Sequence, residues 1–318
     1  MTISDSRVRR WLQVSAGAVV LAVAIGGITR LTESGLSIIE WRPVSGVLPP
    51  MSSAEWERAY SGYLAIPEAQ TVHVGITMHQ FQALFWWEWV HRILARLVGL
   101  VLAGPYVVLL AQGHIRKSMR LRLALLPVLA AAQGVLGWYM VKSGLEVRTD
   151  VSPYRLTAHL GLALVIYVVC VWTIMDLSAR RVENVPVRPS LKRGLLLGFA
   201  LTAVTVLSGG FVAGLDAGKI FNSFPLMDGR VVPPGYFTNA LGWRNAFENP
   251  IAAQFHHRVL ALSTATLLLV LAAGVRRTAV STRVQEAMSA AGLIVVMQVV
   301  LGITTLLLSV PVALGVLH

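Results

Sequence analysis

The sequence predicts an all-α polytopic membrane protein made of two pseudo-repeated four-helix bundles, with the eighth helix truncated at the end of the chain. Three observations predict it. Hydrophobic residues make up 55% and charged residues 13% of 318 positions, and apolar windows of about 20 residues, enough to cross a bilayer core, recur along the chain. Basic residues gather between alternate windows. Motifs of the first half return in the same order in the second.

The windows fall near residues 11–31, 85–111, 121–141, 155–176, 194–214, 251–275 and 287–310, and an eighth begins at Val312. Arg7, Arg9 and Arg10 precede the first span. Arg116, Lys117, Arg120 and Arg122 separate the second from the third, Arg180, Arg181, Arg188, Lys192 and Arg193 the fourth from the fifth, and Arg276, Arg277 and Arg283 the sixth from the seventh. The formal net charge of +12 would suggest a nucleic-acid partner in a soluble chain, but here its placement marks topology and no nucleic acid is expected. The positive-inside bias puts the N-terminus in the cytoplasm and the odd-numbered loops outside. The first and fifth of these are long, about 53 and 36 residues, and rich in Gly, Pro and Trp, which marks them as functional rather than as simple connections.

Duplication explains the order of the motifs. Gly26-Gly27 at the end of span one returns as Gly209-Gly210, His91-Arg92 as His257-Arg258, Gln133 and Gly137 as Gln298 and Gly302, and His159 as His318. The halves match in order while their loops differ in length. Two parallel units follow, 1–180 and 181–318. Because the chain stops at His318, where the eighth helix should descend, the sequence reads as shortened rather than as a seven-span protein.

Ionisable groups inside a bilayer are costly and mark sites by default. His91, His159, His257 and His318 each lie within about two turns of the start of an inward-running span, so all four are expected at one depth near the outer face. Pairs of imidazoles on facing helices suit two haem sites or two metals. Zinc is the weaker reading, since its sites recruit Cys or carboxylate at short spacing and the only cysteine, Cys170, sits in an apolar helix. Arg92, Arg96 and Arg258 are candidate partners of haem propionates, with snorkelling to the interface as the plainer alternative. Glu88, three residues before His91, shares its helix face and is the candidate acid, base or charge stabiliser; otherwise it belongs to an aromatic belt with Trp86, Trp87 and Trp89. The second half has Gln254 at that place, which predicts chemistry in the first unit and a resident cofactor in the second.

Longer motifs carry a resemblance. The runs GGITRLTESGLS from Gly26, WRPVSGVLPP from Trp41, FWWEWVHR from Phe85, GLDAGKIFNSFPLMDG from Gly214, and FENP from Phe247 leading to FHHR at Phe255 closely resemble the haem A synthase family over nearly the whole chain. The resemblance implies conversion of haem O to haem A for aa3-type cytochrome oxidases, by two hydroxylations of one ring methyl and loss of water from the geminal diol. It implies that His91 and His159 hold the substrate iron, that His257 and His318 hold haem b, and that Glu88 is catalytic. The long first loop and the single cysteine resemble the proteobacterial and mitochondrial branch.

By the same resemblance the expected setting is the bacterial inner membrane and its lipid, with haem O synthase, an electron donor, oxidase assembly factors and further copies of the chain as candidate partners. His256 beside His257 competes for the ligand assignment, though Arg258 favours His257. Lys219 stands where an apolar residue is expected. A bis-haem b-type electron-transfer protein shares the four histidines but gives Glu88 no purpose. A duplicated transporter fits the repeat, but the spans lack the broken helices of such folds.

Overall fold

The computed structural model describes residues 3–42, 45–145, 149–178, 188–278 and 280–318. Seven of its helices, 26 to 34 residues each, are long and apolar enough to cross a membrane, and among the described residues no β-strand forms. This is an integral, multi-pass, all-α membrane protein. The chain divides into two compact units, Met1–Arg180 and Arg181–His318.

In the first unit α1 (Ile3–Leu31) is followed by two short loop helices, α2 (Ser53–Leu64) and α3 (Pro67–Thr71), and then by α4 (Met78–Ala111), α5 (Lys117–Leu145) and α6 (Pro153–Ser178). The four long helices close a ring, with α1 against α4 and α6, and α5 against α4 and α6. Helix α4 starts well before the apolar window that betrays it. Thr77 and Gln80 form a capping box there, each side chain taking the other's backbone N–H, which satisfies donors that a helix start leaves open. The same device at Ser52 and Glu55 starts α2. At the far end of the bundle Arg116 pairs with Asp5, and Arg7 hydrogen-bonds His114 at 2.6 Å, so the start of α1 and the α4–α5 turn share one basic end.

Two apolar clusters fill this unit. One joins Val8, Leu12, Leu102, Leu123, Leu126, Ile166 and Cys170 within the helices. The other seats the first loop, with Leu36, Tyr63, Ile66, Phe81, Phe85 and Val151 packed together. Along α4, the step from Phe85 to His91 rises about 9 Å and the step from His91 to Leu102 about 16 Å. His91 therefore lies between the clusters, in a layer that neither of them fills.

The second unit runs through α7 (Pro189–Gly214), the short α8 (Asn245–Glu248), α9 (Pro250–Val275), α10 (Thr282–Leu307) and α11 (Val312–Leu317). Helix α9 packs against α7 and α10, and α11 against α10. The start of α9 is fixed by Asn249, whose side chain accepts from the Ile251 and Ala252 N–H groups, with Pro250 in the first turn, a position where proline costs no hydrogen bond. The chain leaves α1 and α7 alike. Glu33 and Asp216 hold matching places in the repeat, in register with the paired glycines. Both take positive φ, 53° and 49°, and turn the chain out of the helix.

Candidate functional site

Each unit brings one pair of histidines together. In the second, the His257 and His318 ring centroids lie 6.3 Å apart at 79°. In the first, His159 lies within electrostatic range of His91; the His159 Nδ1 is buried without a hydrogen-bond partner, while the His91 ring has the Ala22 backbone carbonyl beside it as an acceptor. His256 faces away from this work, since its Nε2 hydrogen-bonds the Tyr236 hydroxyl of the second loop at 2.9 Å.

The hydrogen bonds at His257 define its tautomer. The Ser208 hydroxyl donates to the Thr205 carbonyl at 2.7 Å, so its lone pair is left to accept from His257 Nδ1–H at 2.8 Å. Nε2 then carries the free lone pair that a metal takes. Position 25, which matches 208 in the repeat, is isoleucine, so no hydroxyl stands there to support His91. At His159 the backbone is held instead, its carbonyl accepting from Gln133 Nε2 at 3.0 Å.

Arg92 and Arg258 perform the same task in the two units. Arg92 donates from Nη2 to the Ile38 carbonyl at 2.6 Å and from Nη1 to that of Glu40 at 3.0 Å. Arg258 donates from Nη2 to Phe221 at 2.7 Å and from Nη1 to Ser223 at 2.8 Å. The acceptors, too, hold matching places in the two loops. Each guanidinium fork thus clamps the chain that leaves the preceding helix onto the turn that bears the histidine. Arg96 likewise donates to the Arg42 carbonyl at 3.0 Å. Of these arginines, Arg258 keeps a buried Nε without a partner.

Glu88 is 2% exposed and its acceptor positions are filled. Oε2 accepts from Ser37 Oγ and Ile38 N, both at 2.7 Å, and Oε1 from Arg92 Nε at 3.0 Å and Nη2 at 2.6 Å. Gln254 occupies the matching place and donates to the Phe221 carbonyl at 3.1 Å. The first unit therefore holds its loop with a buried ion pair, the second with an amide. Lys219, unexpectedly polar in the sequence, pairs with Asp216 at 3.2 Å.

A cavity of about 270 Å³ opens beside this clamp, lined by Ile39, Trp41, Arg92, Trp138, Lys142 and Leu145 among others. Trp41 and Trp138 pack with centroids 6.4 Å apart, and the Lys142 ammonium lies 5.8 Å from the Trp138 ring centre. Flat aromatic walls with the Lys142 ammonium over one of them suit a planar molecule bearing a carboxylate; the Arg92 charge is matched by Glu88.

The donor set limits what the histidine pairs can hold. Among the described residues no group of three or more His, Cys, Asp or Glu is placed around a common point, whereas a bare zinc ion takes three or four protein ligands. Two opposed imidazoles fit a metal whose remaining positions are filled by a macrocycle, as in haem. Sequence reasoning reached these histidines but missed Ser208, Ser37 and the loop carbonyls. No local pattern announces a partner so distant along the chain.

Fold and site together define a class: a polytopic helical membrane protein with a histidine pair, suited to haem, in each of two repeated units. The chain belongs to the cytochrome oxidase assembly protein family COX15-CtaA, whose profile matches residues 9–318. It is 43% identical over 312 residues to a heme A synthase of Sinorhizobium medicae (strain WSM419), covering 98% of this chain and 84% of that protein. A heme A synthase of Bradyrhizobium sp. (strain ORS 278) is 42% identical over 324 residues, covering 100% of this chain and 88% of the relative. One from Rhizobium etli (strain ATCC 51251) is 43% identical over 320 residues, covering 99% and 86%.

Proposed function

We propose that this chain is a haem A synthase, a membrane oxidoreductase that oxidises a ring methyl of haem O to the formyl of haem A for cytochrome oxidase. The observation that carries the reading is one histidine pair per unit, in a chain that matches heme A synthases over nearly its whole length. His91 and His159 hold the iron of the substrate haem O. His257 and His318 hold haem b, whose iron supplies electron-transfer chemistry when bound. The difference between units supports this division, because the Ser208 hydroxyl stands behind His257, as a resident site needs, and has no counterpart at Ile25, while the first unit has the aromatic-walled cavity and the Glu88–Arg92 pair.

The protein's part is positional. Fixing the iron between two helices fixes where the ring methyl lies, and orientation of that kind accounts for much of an enzyme's rate. Glu88 and Arg92 hold the first loop onto the histidine-bearing turn, where we assign it the part of excluding water. The Glu88 carboxylate, held by four donors near His91, is the group we assign to stabilise positive charge developing on the substrate. The membrane is the bacterial inner membrane, with the N-terminus and the basic α4–α5 turn on the cytoplasmic side.

The test is to co-express the chain with a haem O synthase, purify it and identify its haems by extraction and mass analysis. Haem b together with haem O, haem A or partly oxidised forms is the expected result. Haem b alone, at two per chain, would instead identify a bis-haem electron-transfer protein.

A further inference from the structure

Each of the four histidines rests on a glycine of the long helix before it. A Cβ built on Gly26 of α1 would stand 2.9 Å from His91 Cε1, one on Gly137 of α5 3.0 Å from His159 Cε1, one on Gly209 of α7 3.2 Å from His257 Cε1, and one on Gly302 of α10 2.6 Å from His318 Cε1. In every case the nearest atom is Cε1, the ring carbon between the two nitrogens, and Nδ1 and Nε2 follow at 3.1 to 3.9 Å. The imidazoles therefore lie edge-on against bare backbone. A methyl group at any of the four places meets the imidazole itself, half-buried at His91, His159 and His257 and exposed at His318, so at each place the ring has to shift to make room.

Glycine is otherwise common in these helices, and most of it meets nothing of this kind. At Gly17, Gly99, Gly134 and Gly274 a Cβ finds no atom within 4 Å. The coincidence of glycine and histidine is thus confined to the four candidate ligands. It also gives a purpose to the repeated Gly26/Gly209 and Gly137/Gly302 positions, which the duplication alone leaves unexplained.

We infer that Gly26, Gly137, Gly209 and Gly302 are positioning residues, seats that set how far each imidazole stands from its helix and so where its Nε2 meets the iron. This rests on the proposed haem-binding role of the four histidines. Metal–nitrogen bonds tolerate only a few tenths of an ångström; a methyl group at Gly26 or Gly302 would stand closer than the 3.0 Å that real Cβ contacts keep, and one at Gly137 or Gly209 falls where the neighbour must give by a few tenths of an ångström. The expected consequence is loss of one axial bond with the fold kept, not simple destabilisation.

The experiment uses the full chain purified with its haems, and reads the low-spin ferric signal by electron paramagnetic resonance and the binding of carbon monoxide to the reduced protein. Gly209→Ala and Gly302→Ala should each lose the low-spin signal of the second-unit haem and admit carbon monoxide to it. Gly26→Ala and Gly137→Ala should do the same at the substrate haem and leave the second-unit signal intact. Gly99→Ala and Gly274→Ala should match the unaltered protein. If a seat variant fails to accumulate, removing the struck ring decides the cause: Gly26→Ala in a His91→Ala background should accumulate as well as His91→Ala alone, because coupled positions are not additive. Seat variants with unchanged low-spin signals, or a double variant as poor as Gly26→Ala alone, would overturn the inference. Absence of any low-spin bis-histidine signal from the unaltered protein would instead refute the haem-site reading on which it rests.

Discussion

Glu88 accepts two hydrogen bonds from Arg92, one turn further along α4, and both residues reach across to the same segment of the first loop, Ser37 to Glu40. Two consequences are joined in this arrangement. The pair is buried, with side-chain exposures of 3% and 15%, so removing one partner leaves the other charge unmatched, at a cost on the order of 3 kcal/mol. The pair also places a carboxylate on the histidine-bearing turn of one unit only.

These consequences separate in two variants. Glu88→Ala should loosen the first loop, seen as faster amide exchange or proteolysis between residues 33 and 76, and should keep haem b while accumulating haem O or a partly oxidised haem. Glu88→Gln keeps the shape and an acceptor for Ser37 and Ile38 but leaves the Arg92 charge unmatched, so the loop should loosen less than in Glu88→Ala while oxidation still fails. Normal haem A production by the Gln variant would reduce Glu88 to a loop clamp.

Loss of equivalent ligands should not have equivalent results. His257→Ala should strip haem b and lower thermal stability, since a bound cofactor stabilises the state that binds it. His91→Ala should keep haem b and abolish turnover, because the methyl is no longer placed. Pigment extraction with visible spectra decides between them. Loss of haem b from the His91 variant alone would mean that the halves have been assigned in reverse.

Much of this was legible in the chain. Hydropathy located the spans, and the paired His-Arg motifs marked the two turns that the structure surrounds with helix. The limits are physical. The start of α4 at Met78 was hidden because its first turns are polar and its signal is a capping box rather than a run of apolar residues. Helices α2 and α3 were hidden because half their surface is wet. The loop carbonyls held by Arg92 and Arg258 carry no side-chain signature, so the clamp they form with the two loops was not legible in the chain. The glycines at 26, 137, 209 and 302 were visible as a repeat, but only coordinates show that each one touches a histidine.

Ser208 supplies a readout for the second unit. By accepting from His257 Nδ1–H it makes the imidazole a stronger donor to iron, which favours the ferric state. Ser208→Ala should keep haem b bound, raise its reduction potential, and weaken haem retention by about 10- to 100-fold. Redox titration of the purified variant checks the direction. An unchanged or lowered potential would mean that the Ser208 hydroxyl does not act on the bound haem.

The first loop should also respond to pH through Glu68. This residue of α3 is 3% exposed, its Oε2 has no hydrogen-bond partner, and burial, helped by the negative charges of Asp150, Glu88 and Glu33 against Arg30, pushes its carboxyl up to about 8. An unfolded glutamate ionises near 4.5, so between that pH and about 8 the folded loop binds the proton that the unfolded loop has released. Stability contributed by this group is therefore complete in acid, falls as pH rises through that window, and levels off above it. Glu68→Gln removes the titration while keeping the shape, so the variant should be more resistant to loop proteolysis than the unaltered protein at pH 8 and little different at pH 5. The gain is at most a few kcal/mol. A variant equally or less resistant at pH 8 would show that Glu68 has found a cation or a donor in the native membrane and is held there ionised.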